Sequence, residues 1–289
     1  MYQIDNSTAA ATQPASTAPG TPGYFTDGSP GTVPATIVPA EWLNAVQMEL
    51  INAITAAGLT PSKSTFDQLA TAMQGRLINI QTFTSSGTYT PTAGTKSVVI
   101  EVQGAGGAGG GTPAASSTQY AVGGPGGSGA YAKSRYTSGF SGAVVTVGAG
   151  GTGVSGANGN SGGTTSFGAL ISCPGGTGGG ASVATASGVV FGQVTGNPPA
   201  ASGGNVVNAS GGTCGFGLGT GVGAFVSGVG VPSLFGGGGR SAVGTSSAGA
   251  TALTTSYGAG GGGAGASGTT SAQAGGNGAP GVVIVWEYA

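Results

Sequence analysis

Glu101 and Glu287 are the only acids that follow Asp67 in this chain. A glycan hydrolase needs two carboxylates flanking the scissile bond, so this pair is the one candidate for such chemistry. The alternative is a solvated sheet edge, with each acid beside Lys96 or Lys133. The chain has no histidine, so nucleophilic and metal-assisted catalysis find no candidates. Cys173 and Cys214 stand far apart and lack partners for a zinc set. They read as two small buried thiols, with a disulfide as the other possibility. No catalytic residue, metal ligand or cofactor is assigned, and the chain is not expected to be an enzyme.

Phosphate binding is the next chemistry to test. SVVIEVQGAGGAGG places Gly104, Gly106 and Gly109 as G-x-G-x-x-G directly after a strand-like run. A dinucleotide site then requires a helix and an acid about 20 residues on. GGTPAASSTQY follows instead, and no acid occurs between Glu101 and Glu287. GPGGSGAYAKS also fails as a Walker loop, because Ala130 follows Gly129.

The elements that would position these residues are unusual in composition. Of 289 residues, 66 are glycine, with 6 basic and 7 acidic side chains and a net charge of −1. That balance argues against nucleic acid or an anionic membrane as partner. Charged residues make up 4% and mean hydropathy is +0.22, unlike a disordered chain. No run approaches the ~20 apolar residues of a membrane span. MYQIDNSTAA lacks a basic start and an apolar run, so no secretory signal is expected.

Three parts are expected. Residues 1–38, rich in Thr, Pro, Ala and Gly, read as an extended arm with Tyr24 and Phe25 as its anchor. Residues 39–79 read as two helices. The first carries Leu43, Val46, Leu50 and Ile54 on one face and stops at Gly58. The second starts at Ser64, with Asp67 completing a near capping box, and presents Phe66, Leu69, Met73 and Leu77. Two such helices make little core alone and call for another layer or further copies. Residues 80–289 hold most of the glycine. KSVVIEVQ (96–103) and GVVIVWEY (281–288) frame this region as strands of one sheet.

Four readings of the glycine compete. Collagen needs Gly at every third position without a break, and Pro113 and Ala132 interrupt the period. A flexible linker does not need Val, Phe and Ala between its glycines, nor strands at both ends. The phosphate loop fails as above. The fourth reading is packing. A glycine helix with three residues per turn makes no internal hydrogen bonds, so its amides must bond to neighbours. Only Gly, with occasional Ala or Ser, lets backbones approach that closely. GAGGAGGG, GGPGGSG, GAGGTG, PGGTGGG, FGGGG, GAGGGGAG and GGNGAPG are then rods in a packed layer. The run FGGGGR places Phe235 and Arg240 at the ends of one rod, and valine at Gly237 or Gly238 should push rods apart.

These residues resemble tail fibre proteins of tailed bacteriophages. The stretch from PGYFTDGSPG through FDQLATAM is similar to the fibre N-terminal region. FTSSGTYTPTAGTKSVVIEVQGAGGAGG, VTVGAGGTG, GGTTSFGALIS, FGGGGR, YGAGGGG and GGNGAPGVVIVWEY are similar to the phage glycine-rich domain. The resemblance implies a mixed fold: an arm, a short helical region, then strands framing a polyglycine II-like domain. In related adhesins of T-even-type phages, loops between glycine helices contact the host receptor. Those adhesins cap a separate fibre, whereas here both parts share one chain. The resemblance further implies a homotrimer on the virion, made in the host cytoplasm. Its arm would meet baseplate or tail-tip proteins, and its loops a pilus, outer-membrane protein or lipopolysaccharide. A purely structural fibre and a tailspike hydrolase are the alternatives.

Aromatic and Arg side chains dominate binding energy where exposed. Tyr120, Phe191, Phe225, Arg240 and Tyr257, in the inserts 112–122, 181–202, 224–234 and 240–259, are therefore the receptor-binding candidates. Pro198 and Pro199 would stiffen the longest insert. Leu43, Val46, Leu50 and Ile54 are the trimer-contact candidates.

Overall fold

The computed structural model describes residues 2–18, 20–73, 77–193, 195–197, 200–213 and 215–289. The chain divides into two compact units: Met1–Leu77 with Ala289, and Ile78–Tyr288.

In the first unit, residues 2–18 and 20–39 form no helix or strand beyond an isolated bridge, Ser29 to Val33. They are nevertheless tied to the first helix, α1 (Ala40–Ala56). The Ile4 amide donates to Gln47 at 2.8 Å, and the Thr17 hydroxyl to Glu41 at 2.7 Å. Phe25 packs edge-on against Trp42 with ring centroids 5.1 Å apart, while Tyr24 is fully exposed. Gly58 terminates α1 at φ 79°, where a side chain is disfavoured. The second helix, α2 (Gln68–Met73), is shorter than its pattern suggests. Asp67, not Ser64, stands at its start: the Asp67 carbonyl accepts from the Thr71 amide at 2.9 Å. The place expected for an apolar face is taken by the amide of Gln68, which bonds Thr60 and Ser62. Phe66 and Met73 are exposed, and Leu77 begins a strand.

The second unit opens with β1 (Leu77–Phe83), β2 (Gly87–Thr88), β3 (Ser97–Gln103), β4 (Tyr120–Val122), β5 (Tyr131–Tyr136), β6 (Val144–Thr146), β7 (Thr165–Phe167) and β8 (Ile171–Cys173). Then follow β9 (Val190–Gly192), β10 (Val207–Ala209), β11 (Gly217–Gly221), β12 (Ala224–Val226), β13 (Gly265–Ser267) and β14 (Val282–Tyr288). The fold is mixed and strand-rich. The framing strands do share a sheet, ordered β1-β14-β3-β5-β10, with Val98 opposite Glu287 and Val102 opposite Val283. Its inner face, carrying Val98, Ile100, Val102, Val283 and Val285, packs against Val145, Phe167 and Ile171 of the β2-β6-β7-β8 sheet. Burying those β-branched faces fixes the register, since a one-residue slip would turn them to solvent.

From this base the glycine runs rise as a bundle with a centre, not a flat layer. Residues 104–111 form the central rod, and its bonding partner changes with a period of three. The Gly104, Gly107 and Gly110 amides donate to Ala130, Gly127 and Gly124. Those of Ala105, Ala108 and Gly111 donate to Gly163, Asn160 and Ala157. Those of Gly106, Gly109 and Thr112 donate to Ala279, Gly276 and Gln273. All three acceptor rods run antiparallel to the centre. Parallel rods donate back: Gly176 and Gly179 to Ala105 and Ala108, Gly151 to Gly106, and Gly261 and Ala264 to Gly107 and Gly110.

Among the described residues these six rods also bond to one another in a closed ring. Gly127 donates to Thr177, Gly162 to Gly176, Gly163 to Ala149, Gly278 to Gly151, Ala279 to Ala259 and Gly126 to Gly261. Neighbours in the ring alternate in direction. Each lateral bond adds about 1 kcal/mol net, offsetting the large entropy that glycine loses on ordering.

Glycine is required here by proximity, not by backbone angle. No glycine in the central rod has a positive φ. A Cβ on Gly107 would land on the Thr177 carbonyl, 2.6 Å from its carbon. Non-glycine residues recur every third position on the outward side of the ring rods. Ala149, Thr152 and Ser155 are exposed in this way, as are Asn158, Ser161 and Thr164. Gly238 would drive a Cβ into the Gly230 backbone, but Gly237 meets nothing within 4 Å. The expectation for Gly237 is thereby corrected: it sits on the open side of its rod.

Candidate functional site

Glu101 and Glu287 do not form a catalytic pair with each other. Glu287 lies on the core face of β14 opposite Val98, whereas Glu101 lies on the outer face of β3 opposite Ile284. Glu101 pairs with Lys133, its cross-strand neighbour on β5, at 2.9 Å. Glu287 is fully buried and accepts from the Tyr89 hydroxyl, the Thr92 hydroxyl, the Thr92 amide and the Gln81 amide. Burial alone would raise its carboxyl. The hydrogen bonds from Thr92, Tyr89 and Gln81 outweigh burial and hold it below the usual carboxylate range. Tyr89 is pushed up by burial and by the Glu287 charge. This node ties the entry segment to the last strand through a buried carboxylate, with Gln81 and Thr92 only partly buried around it.

Cys173 is a free, buried thiol whose Sγ donates to the Val102 carbonyl at 3.3 Å. Burial pushes it up to about 12, which removes the thiolate needed for reactivity. Cys214 lies outside the described residues, as do Pro198 and Pro199. No group of three or more His, Cys, Asp or Glu among the described residues could hold a metal ion. No described helix is long and apolar enough to cross a membrane.

Exposed apolar side chains occur at both ends of this unit: Val144 and Val206 stand by the base sheets, and a further group lies at the end of the bundle away from them. The three-stranded sheet β12-β11-β9 lies there. Gly192 and Gly217 approach the backbone at Gly123, where the rod 123–130 begins, far from Ala130 at the sheet. Leu218 pairs with Phe191 on one side and Val226 on the other. Inward-facing Val190 and Phe225 pack with Tyr120, Val122 and Ala242 in a small core. Gly217 and Gly219 also face inward, and a Cβ on Gly219 would press on the Tyr120 ring at 3.1 Å. Outward, the sheet exposes Phe191, Leu218 and Val226.

The five receptor-binding candidates therefore separate. Phe191 stands on the far face, 51% exposed, with its ring edge-on to Phe216 at 5.6 Å. Tyr120 and Phe225 are 1% and 4% exposed. Both are core side chains directly beneath that face, which corrects the expectation that they touch a partner. The Tyr120 hydroxyl is bound to the Gly188 carbonyl. Arg240 is exposed on the flank, its carbonyl beside Gly262. Tyr257 is half-buried at the sheet end, against Phe235, which also meets Tyr131. Tyr131 is raised to about 12 by burial and by the nearby Glu101 carboxylate.

Phe216, Leu218, Val226 and Val243 complete the face and were not singled out from the sequence. Their signal was present: in GFGLGTGVGAFV glycine alternates with larger residues at period two, a strand with one face against a ring. Among glycine rods that alternation passes for one more rod.

Residues 82–288 match the family described as a glycine-rich domain, and the chain belongs to that family. Among curated proteins none matches this chain.

Proposed function

We propose that this chain is a tail fibre or tail-tip protein of a tailed bacteriophage. Its N-terminal unit attaches it to the virion, and the far end of its glycine-rich unit adheres to the bacterial surface. The observation that carries the reading is the distribution of roles along the bundle. The rods consume their backbone groups in lateral bonds and turn mostly small or polar side chains outward, such as Ala149, Thr152 and Asn158. The end opposite the capping sheet carries a sheet that turns an in-register row of large apolar side chains to solvent. A stiff, polyglycine II-like post with an adhesive end is what host attachment requires, and the fibre resemblance of both halves supports it.

The arm is proposed to extend along a tail partner through Tyr24, and the helices to assemble as a homotrimer. Leu43 and Val46 are 54% and 37% exposed on α1, Leu50 is half-buried and Ile54 is buried. The two exposed positions are the ones left for a threefold contact, while Ile54 already belongs to the protomer's own core.

Antibodies raised against the full chain should decorate the tail tip of the virion in electron micrographs and block adsorption to cells. Decoration without any effect on adsorption would favour a structural fibre component. Absence of decoration would contradict the proposal.

A further inference from the structure

We infer that the outward face of the β12-β11-β9 sheet docks on an apolar, uncharged patch of a folded protein on the bacterial surface. The inference rests on the adhesive role proposed above and names the chemistry of its partner.

Phe191, Leu218 and Val226 are in register across three strands, and Val226 is bridged to Val243. At about 4.8 Å per strand, this row is roughly 14 Å long. Phe216, two residues before Leu218, lies on the same face and braces Phe191. Exposure runs from 38% at Leu218 to 60% at Val243. An antiparallel sheet with one face on a core normally turns polar residues to water on the other. Here both faces are apolar, and a contiguous exposed apolar patch marks an interaction site.

Charge selects the occupant. Between Arg135 and Glu287 the chain carries one charged residue, Arg240, and it stands on the flank. An anionic polysaccharide or lipid phosphate calls for several cations at the contact, and this face has none. Sugar hydroxyls would lose water without gaining partners, because the outward positions of β11 offer only the Thr220 hydroxyl. An apolar protein patch meets neither penalty. The sheet is also braced from below by Tyr120 and Phe225, so little order is lost on binding.

The test uses the full chain, fluorescently labelled, on a bacterial strain that it stains. Staining should vanish when the cells are shaved with protease and persist when surface polysaccharide is truncated. It should persist in about 1 M NaCl, where the screening length is ~3 Å. Phe191→Ser and Leu218→Ser should each weaken binding roughly tenfold or more, with melting temperature and solution mass unchanged. Arg240→Gln should bind like wild type. Protease-resistant staining, binding to protein-free lipopolysaccharide vesicles, or loss of binding in salt or in Arg240→Gln would overturn the inference while leaving the adhesive role standing. So would normal binding by both serine variants. A drop in solution mass in Phe191→Ser with normal staining would make the face a contact between copies, and would overturn it too. Wild-type protein that stains no strain would take down both this inference and the adhesive role.

Discussion

The Tyr89 hydroxyl donates a 2.6 Å hydrogen bond to Glu287 across 198 residues of sequence. It joins the segment that enters the glycine-rich unit to the strand that leaves it. The Tyr89 ring lies 5.4 Å from Phe167, within the core beneath the rods. Glu287→Gln should cost about 3 kcal/mol, since a charged acceptor of several donors is replaced by a neutral one that also turns donors inward. Thermal denaturation at neutral pH checks this.

The same carboxylate sets an acid limit. Its native value is depressed, so the stability it contributes is fully present above about pH 4.3, the ordinary glutamate value. That stability is lost as pH falls through the lower native value. Wild type should lose melting temperature below about pH 4 more steeply than Glu287→Gln. Parallel pH curves would show that Glu287 is not the group responsible.

Glycine positions should divide by their surroundings. Gly107→Ala should destabilise by about 3 kcal/mol or more, because backbone surrounds the added carbon and cannot yield as a side chain would. Gly237→Ala should fall within about 0.5 kcal/mol of wild type, or stabilise slightly through the unfolded chain. Equal melting temperatures for the two would deny the close packing of the rods.

Two aromatics on the two edge strands of the β12-β11-β9 sheet should also behave oppositely. Phe225→Ala empties a buried site and should cost about 3–5 kcal/mol. Phe191→Ala, on the exposed side of the same sheet, should cost under about 1 kcal/mol. Chemical denaturation of the two variants distinguishes the faces.

The helical region carries a separate expectation. The full chain should have three times the protomer mass in light scattering, and Leu43→Ser with Val46→Ser should release the monomer. A monomeric wild type at micromolar concentration would remove the trimer from the proposal.

Much of this fold was legible because burial leaves a pattern in the residues. The β-branched runs at 96–103 and 281–288 announced a shared sheet, and Gly58 marked the end of α1. The short glycine runs announced packing, because the Val, Phe and Ala between them and the strands at both ends do not suit a flexible linker. What stayed hidden depends on facing. Tyr120, Phe191 and Phe225 look alike in sequence, yet a strand turns alternate residues to opposite sides, and only the register decides which are wet. Gly237 and Gly238 differ for the same reason, one on the open side of a rod and one against Gly230. Ser64 and Asp67 offer rival starts for the second helix, and the structure takes the later one. Leu77 fits a helical spacing but is claimed by the sheet.

Amide hydrogen exchange at residues 104–111 reports on whether the glycine runs are a bonded post or a loose chain. The amides of Gly106, Gly107 and Gly111, each donating to a different rod, should exchange only through global unfolding, alongside Val98 and Ile100 in β3. Exchange of these glycines within seconds, while β3 stays protected, would contradict the rod bundle and with it the rigid support of the adhesive face.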